Sequence, residues 1–128
     1  MSASSKSSLT ELGGKYVLDM QASGSTASTN VTSSSGTIYQ VEIDNEQNGS
    51  AVYLKIRDDA SATPSTVTSG GAGTPHYSFV APAFTRICYT ISTGAPFDTG
   101  LSMWCSTSKS VGSTSSASNP VIVKLITS

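Results

Sequence analysis

The chain has 128 residues, 26 of them Ser and 16 Thr, with only 12% charged and a formal net charge of −1. A single domain is the natural unit at this length. The composition excludes a transmembrane helix, a coiled coil and a nucleic-acid binder that works by neutralising phosphates.

Residues 1–14 are polar and Ser-rich, ending in Gly13-Gly14, and read as an N-terminal arm, disordered or tied down by a neighbour. The arm lacks the hydrophobic stretch of a secretory signal, so the chain reads as made in a cytoplasm. The sequons at Asn30 and Asn48 then read as ordinary polar loops. Lys15 to Met20 is the first strand candidate, with Tyr16 and Leu18 on one face and Val17 on the other. Residues 21–35 are almost all small and polar, and an edge strand through Thr26, Ser28 and Asn30 is possible there.

The best local signal lies at 37–57. Tyr39, Val41 and Ile43 alternate with Gln40, Glu42 and Asp44, then Val52, Leu54 and Ile56 alternate with Tyr53, Lys55 and Arg57. Period two means one dry and one wet face on each strand. Asn48-Gly49 between them predicts a tight hairpin built on a positive φ, with Glu42 and Asp44 paired across it to Lys55 and Arg57.

Residues 60–75 read as a loop bracketed by Pro64 and Pro75. Further strands follow at His76–Ala81, at Phe84–Ser92 with Ile87, Tyr89 and Ile91 on one face, and at Gly100–Ser106. After a second Ser-rich loop (107–118), Val121–Thr127 is nearly continuously apolar, as expected of a strand covered on both faces. No stretch carries a helical period. Residues 15–128 therefore read as one all-β domain, an antiparallel β-sandwich or small jelly roll of seven to eight strands.

The search for chemistry is mostly negative. Cys88 and Cys105, the only cysteines, cannot build a four-ligand zinc site even with the lone His76. If their strands pair as a hairpin through 92–100, a disulfide is geometrically possible; a reducing cytoplasm favours two small buried thiols instead. Asp58-Asp59 is tempting as a calcium or general-acid site. Its bland reading is a solvated turn that ends a strand, and on a hairpin Asp44 would lie roughly 20 Å away. The run Ser69–Gly73 lacks the lysine and helix of a phosphate loop. No catalytic residue, cofactor or metal emerges, and the chain reads as a non-enzyme. Trp104 alternates with Met103 and Cys105 and reads as a core or interface aromatic.

A core this thin, with two long Ser-rich loops, is eased if copies pack around a symmetry axis. The interface candidates are Trp104, Val121, Val123, Leu125 and the two loops.

The segments Val41-Glu42-Ile43-Asp44-Asn45, Ala51–Asp58, Tyr77–Pro82, Gly100–Cys105 and Ser118–Lys124 together give the chain, over 36–128, a pattern that resembles small β-sandwich structural proteins of tailed-bacteriophage virions. The resemblance implies a homotrimer located in the virion. It would decorate or cement the capsid against the major capsid protein, or else belong to the tail, neck or fibre beside other virion proteins. The competing class is a module for host-surface glycan, using Trp104, Tyr53 or Tyr77 as stacking platforms. Neither class needs nucleic acid or a membrane.

Overall fold

The computed structural model describes residues 4–9, 14–64, 71 and 73–128, with side chains from residue 15 onward. Among them run eight strands: β1 Ser4–Leu9, β2 Gly14–Asp19, β3 Gly36–Asp44, β4 Val52–Asp58, β5 Tyr77–Ala81, β6 Arg86–Phe97, β7 Leu101–Ser106 and β8 Ile122–Thr127. They form two antiparallel sheets, β1-β2-β8-β3-β6 and β5-β4-β7. Among the described residues no helix is long and apolar enough to cross a membrane. Most of the Ser69–Gly73 run lies outside the described residues.

The free edge of β7 is taken by the segment 23–31. Ser28 and Met103 exchange both backbone hydrogen bonds, Val31 N–H donates to the Leu101 carbonyl, and Cys105 N–H donates to the Ser23 carbonyl. The possible Thr-rich edge strand is thus an irregular fourth member of the second sheet. With it, the strands are ordered as two interleaved four-stranded layers, β2-β8-β3-β6 against 23–31-β7-β4-β5. This is the strand order of a jelly roll, and β1 extends its first sheet. Residues 4–9 of the arm pair with β2 of their own chain.

The predicted 37–57 hairpin does not form. β3 pairs with β6 and β8 in one sheet, and β4 pairs with β5 and β7 in the other. Val41 and Ile43 meet Val52, Leu54 and Ile56 across the sandwich, so the two dry faces close on each other rather than lying side by side. Gly49 does not take a positive φ; a Cβ there would crowd the Phe84 ring at 3.2 Å. The expected charge pairs dissolve with the hairpin. Glu42 meets Lys124 at 3.4 Å, and Arg57 meets Asp59 at 3.0 Å.

The alternation in β3 also breaks at one point. Ile38 pairs with Thr127 and Gln40 with Ile126, so Tyr39 is an extra residue that bulges out. Core and surface swap phase there, and Ile38 rather than Tyr39 joins Val41 and Ile43 in the core. On the other side Ile38 pairs with Ala95 and Gln40 with Thr90. Gly94 permits that longer excursion with a φ of +79°, and a Cβ on it would overlap Thr37 at 2.1 Å.

The hairpin through 92–100 on which a disulfide would depend is not formed either, since β6 and β7 lie in different sheets. Cys88 faces solvent, Cys105 lies in the core, and both are free thiols. Burial, with the Asp19 carboxylate, pushes the Cys105 thiol up to about 12, so it behaves as a small hydrophobe. The expectation of two buried thiols holds for Cys105 alone.

Candidate functional site

The four residues expected at an interface lie inside the protomer. Val121, Val123 and Leu125 belong to the inter-sheet core. Trp104 is 1% exposed yet stands apart from that core. It sits beside Lys55 on the outer face of the three-stranded sheet, which the expected wet face of β4 shares. That face is roofed by the chain's own loops. Ser102 Oγ donates to the Asp59 carbonyl at 2.6 Å, Ser106 Oγ donates to the Ser108 carbonyl at 2.6 Å, and Lys55 Nζ donates to the Ser110 carbonyl at 2.7 Å. Lys55 is therefore 1% exposed, and burial lowers its pKa. Residues 59–62 and 108–110 are tied down by this second, smaller buried layer.

The Asp58-Asp59 pair is structural. Asp58 accepts hydrogen bonds from the backbone N–H groups of Asp98 (2.7 Å) and Thr99 (2.9 Å), which fasten the β6–β7 turn. Its own N–H donates to His76 Nδ1 at 2.9 Å. Burial pushes the Asp58 carboxyl up, but the N–H groups of Asp98, Thr99 and Gly100, with His76, together bring it below the ordinary aspartate value. The Arg57 guanidinium and the Ser61 N–H lower Asp59. Among the described residues no group of three His, Cys, Asp or Glu side chains is placed to hold a metal ion.

These two carboxyls bind protons more weakly folded than unfolded. Their stabilising contribution is complete above about pH 4 and is lost as the pH falls through their folded values. Asp58→Asn is expected to cost about 2 kcal/mol at neutral pH and to flatten the loss of stability on acidification. Thermal melts from pH 7 to pH 2 measure both; an unchanged acid slope in the variant would contradict this role for Asp58.

The remaining candidate is the end of the sandwich where the loops 45–51, 82–85 and 107–121 gather. Three asparagines staple it. Asn45 Nδ2 reaches the carbonyls of Ser50, Ala81 and Pro82. Asn48 and the backbone of Asn119 exchange two hydrogen bonds of 3.1 and 2.9 Å, and Asn119 Nδ2 donates to the Gln47 carbonyl at 2.8 Å. Asn48 is thus a buried staple, in keeping with the bland reading of its sequon. Phe84 projects from this end, 71% exposed with a φ of +55°, a backbone region costly for a bulky aromatic. Its N–H is held by the Asn48 carbonyl at 2.9 Å.

Two shallow hollows of about 280 and 300 Å³ flank the 116–119 segment at this end. Their linings offer hydroxyls, amides and backbone, with Asn48, Thr107 and Ser116 in the first and Gln21, Ser23 and Pro120 in the second. None of the lining side chains titrates near neutrality, so the hollows can hydrogen-bond a polar group but hold no base to activate a hydroxyl. Sequence places Phe84 at the start of a strand, but β6 begins at Arg86 and Phe84 stands in the turn after Pro82, so alternation does not reveal its exposure.

No protein-family model matches the chain, and neither the curated proteins nor the solved structures gave a match.

Proposed function

We propose that the chain is a non-enzymatic structural protein of a tailed-phage virion, a capsid decoration or cement protein that acts as an oligomer, with the trimer as its expected state. The observation that carries this reading is the jelly-roll strand order, an architecture that recurs in viral capsid domains and acts here as fold-level analogy. The weakly charged Ser/Thr-rich sequence, with only 7 Lys and Arg, suits a particle exposed outside the cell, because it offers trypsin-like proteases few sites. Binding to a shell would further stabilise the folded protomer by mass action.

A second reading, a tail, neck or fibre module that takes host-surface glycan, is favoured by Phe84 beside the polar hollows. Trp104, once a candidate platform, is covered by the loops. Quantitative mass spectrometry of purified particles separates the readings. A copy number near that of the major capsid protein is the expected result. A handful of copies would move the chain to the tail, neck or fibre, and its absence from particles would overturn both.

A further inference from the structure

The two outer faces of the sandwich are finished differently. Loops roof the three-stranded sheet, but the described residues place no such cover on the five-stranded one. β8 reads in sequence as a strand buried on both sides, yet Ile122 and Ile126 are only half-buried there. The register sets Ile126 beside Tyr16, and Lys124 beside Leu18. Met20, 40% exposed, follows at the end of β2. Large apolar side chains thus form a block on two adjacent strands. Along its other flank lie Glu42 and Asp44 of β3, then Arg86 of β6.

We propose that this outer face of the five-stranded sheet is where one copy of the chain meets a second copy; the assignment rests on the oligomeric reading above, and because the same face serves both copies the contact closes as a two-fold pair, so a trimer would need a further, different contact. Two arguments favour the chain itself as occupant. Among the residues whose side chains are described, the face carries Lys124 and Arg86 against Glu42 and Asp44, so a second copy meets both signs with both signs. Five strands at ~4.8 Å and six residues at ~3.3 Å give roughly 480 Å² in projection. Two copies then bury about 1,000 Å², the lower bound for a specific interface. Contact also covers the apolar block, which water leaves half-wetted in the lone protomer.

Sedimentation velocity of the purified chain at micromolar concentration tests this. The wild type is expected to sediment as an oligomer. Leu18→Glu and Ile126→Glu, at half-exposed positions, should each give monomers with unchanged circular dichroism, a loss of at least tenfold in association. Val80→Glu, at a 39% exposed position on the other sheet, should leave the oligomer intact. Lys124→Glu and Glu42→Lys should each weaken association and restore it when mixed. A monomeric wild type, an intact Leu18→Glu oligomer, or dissociation by Val80→Glu would each overturn the assignment. A monomer that is nonetheless abundant in particles would overturn this inference and leave the virion reading standing; an oligomer absent from particles would do the reverse.

Discussion

Val123→Asp is expected to leave no folded protein at room temperature. Val123 lies in the middle of β8, fully buried, with Ile43 of β3 on one side and Asp19 of β2 on the other. Asp19 is already a buried carboxylate. Its oxygens accept from the Gln21 N–H at 3.0 Å and the Ser28 hydroxyl at 2.7 Å, tying β2 to the 23–31 segment. A second carboxylate at 123 would enter the core beside the first. Removing a buried methyl pair and adding an unpaired charge costs about 5 kcal/mol or more, comparable with the whole stability of a small domain. Val123→Ala, which only opens a cavity, should cost about 2 kcal/mol. Circular dichroism and Trp104 fluorescence melts report both. A Val123→Asp chain with native melting would mean that β8 does not lie in the core.

The second large effect belongs to Asn45. It is fully buried, and its Nδ2 serves the carbonyls of Ser50, Ala81 and Pro82 at 2.9, 3.3 and 3.0 Å. Those carbonyls lie in or at the edge of two of the connections that carry the chain between sheets, β3–β4 and β5–β6. Asn45→Ala leaves them without their donor and should cost about 3 kcal/mol. Asn45→Asp is expected to be worse, by about 2 kcal/mol, because it replaces the donor with a buried oxygen facing three others. Urea unfolding midpoints order the two variants. Equal losses would show that Asn45 works through shape rather than through donation. Its Oδ1 has no partner among the described residues, which fits an amide oriented wholly by its donor side.

Much of the fold was legible because strand periodicity is local. Val41 and Ile43, then Val52, Leu54 and Ile56, announce their buried faces by alternation alone, and all five lie in the core. The β6 face of Ile87, Tyr89 and Ile91 packs against that core as its pattern implies. What failed was partner choice. Asn48-Gly49 carries a hairpin signature, yet this turn passes between sheets, because Asn45 and Asn48 anchor it to segments more than thirty residues away. Tyr39 misled because a bulge shifts the phase of β3, and a bulge depends on its neighbours in register.

The candidate site was less legible still. Trp104 reads in sequence as a core or interface aromatic, and sequence cannot say that the chain's own loops cover it. Lys55 reads as a wet residue by alternation, yet it is buried, with its ammonium held by the Ser110 carbonyl of the loop after β7. Cys88 and Cys105 show the same limit, since two strands adjacent in sequence ended in different sheets.

The sequence by itself determined an all-β chain, the positions of most strands, the apolar faces of β4 and β6 and of most of β3, and the poverty of titratable groups, because these depend on residue type and spacing over fewer than ten positions. The tertiary structure alone decided the jelly-roll order, the loop roof over one face and the bare apolar block on the other. Those outcomes follow from long-range pairing, where many strand partners have similar local preference and only the joint burial of all the faces selects one arrangement.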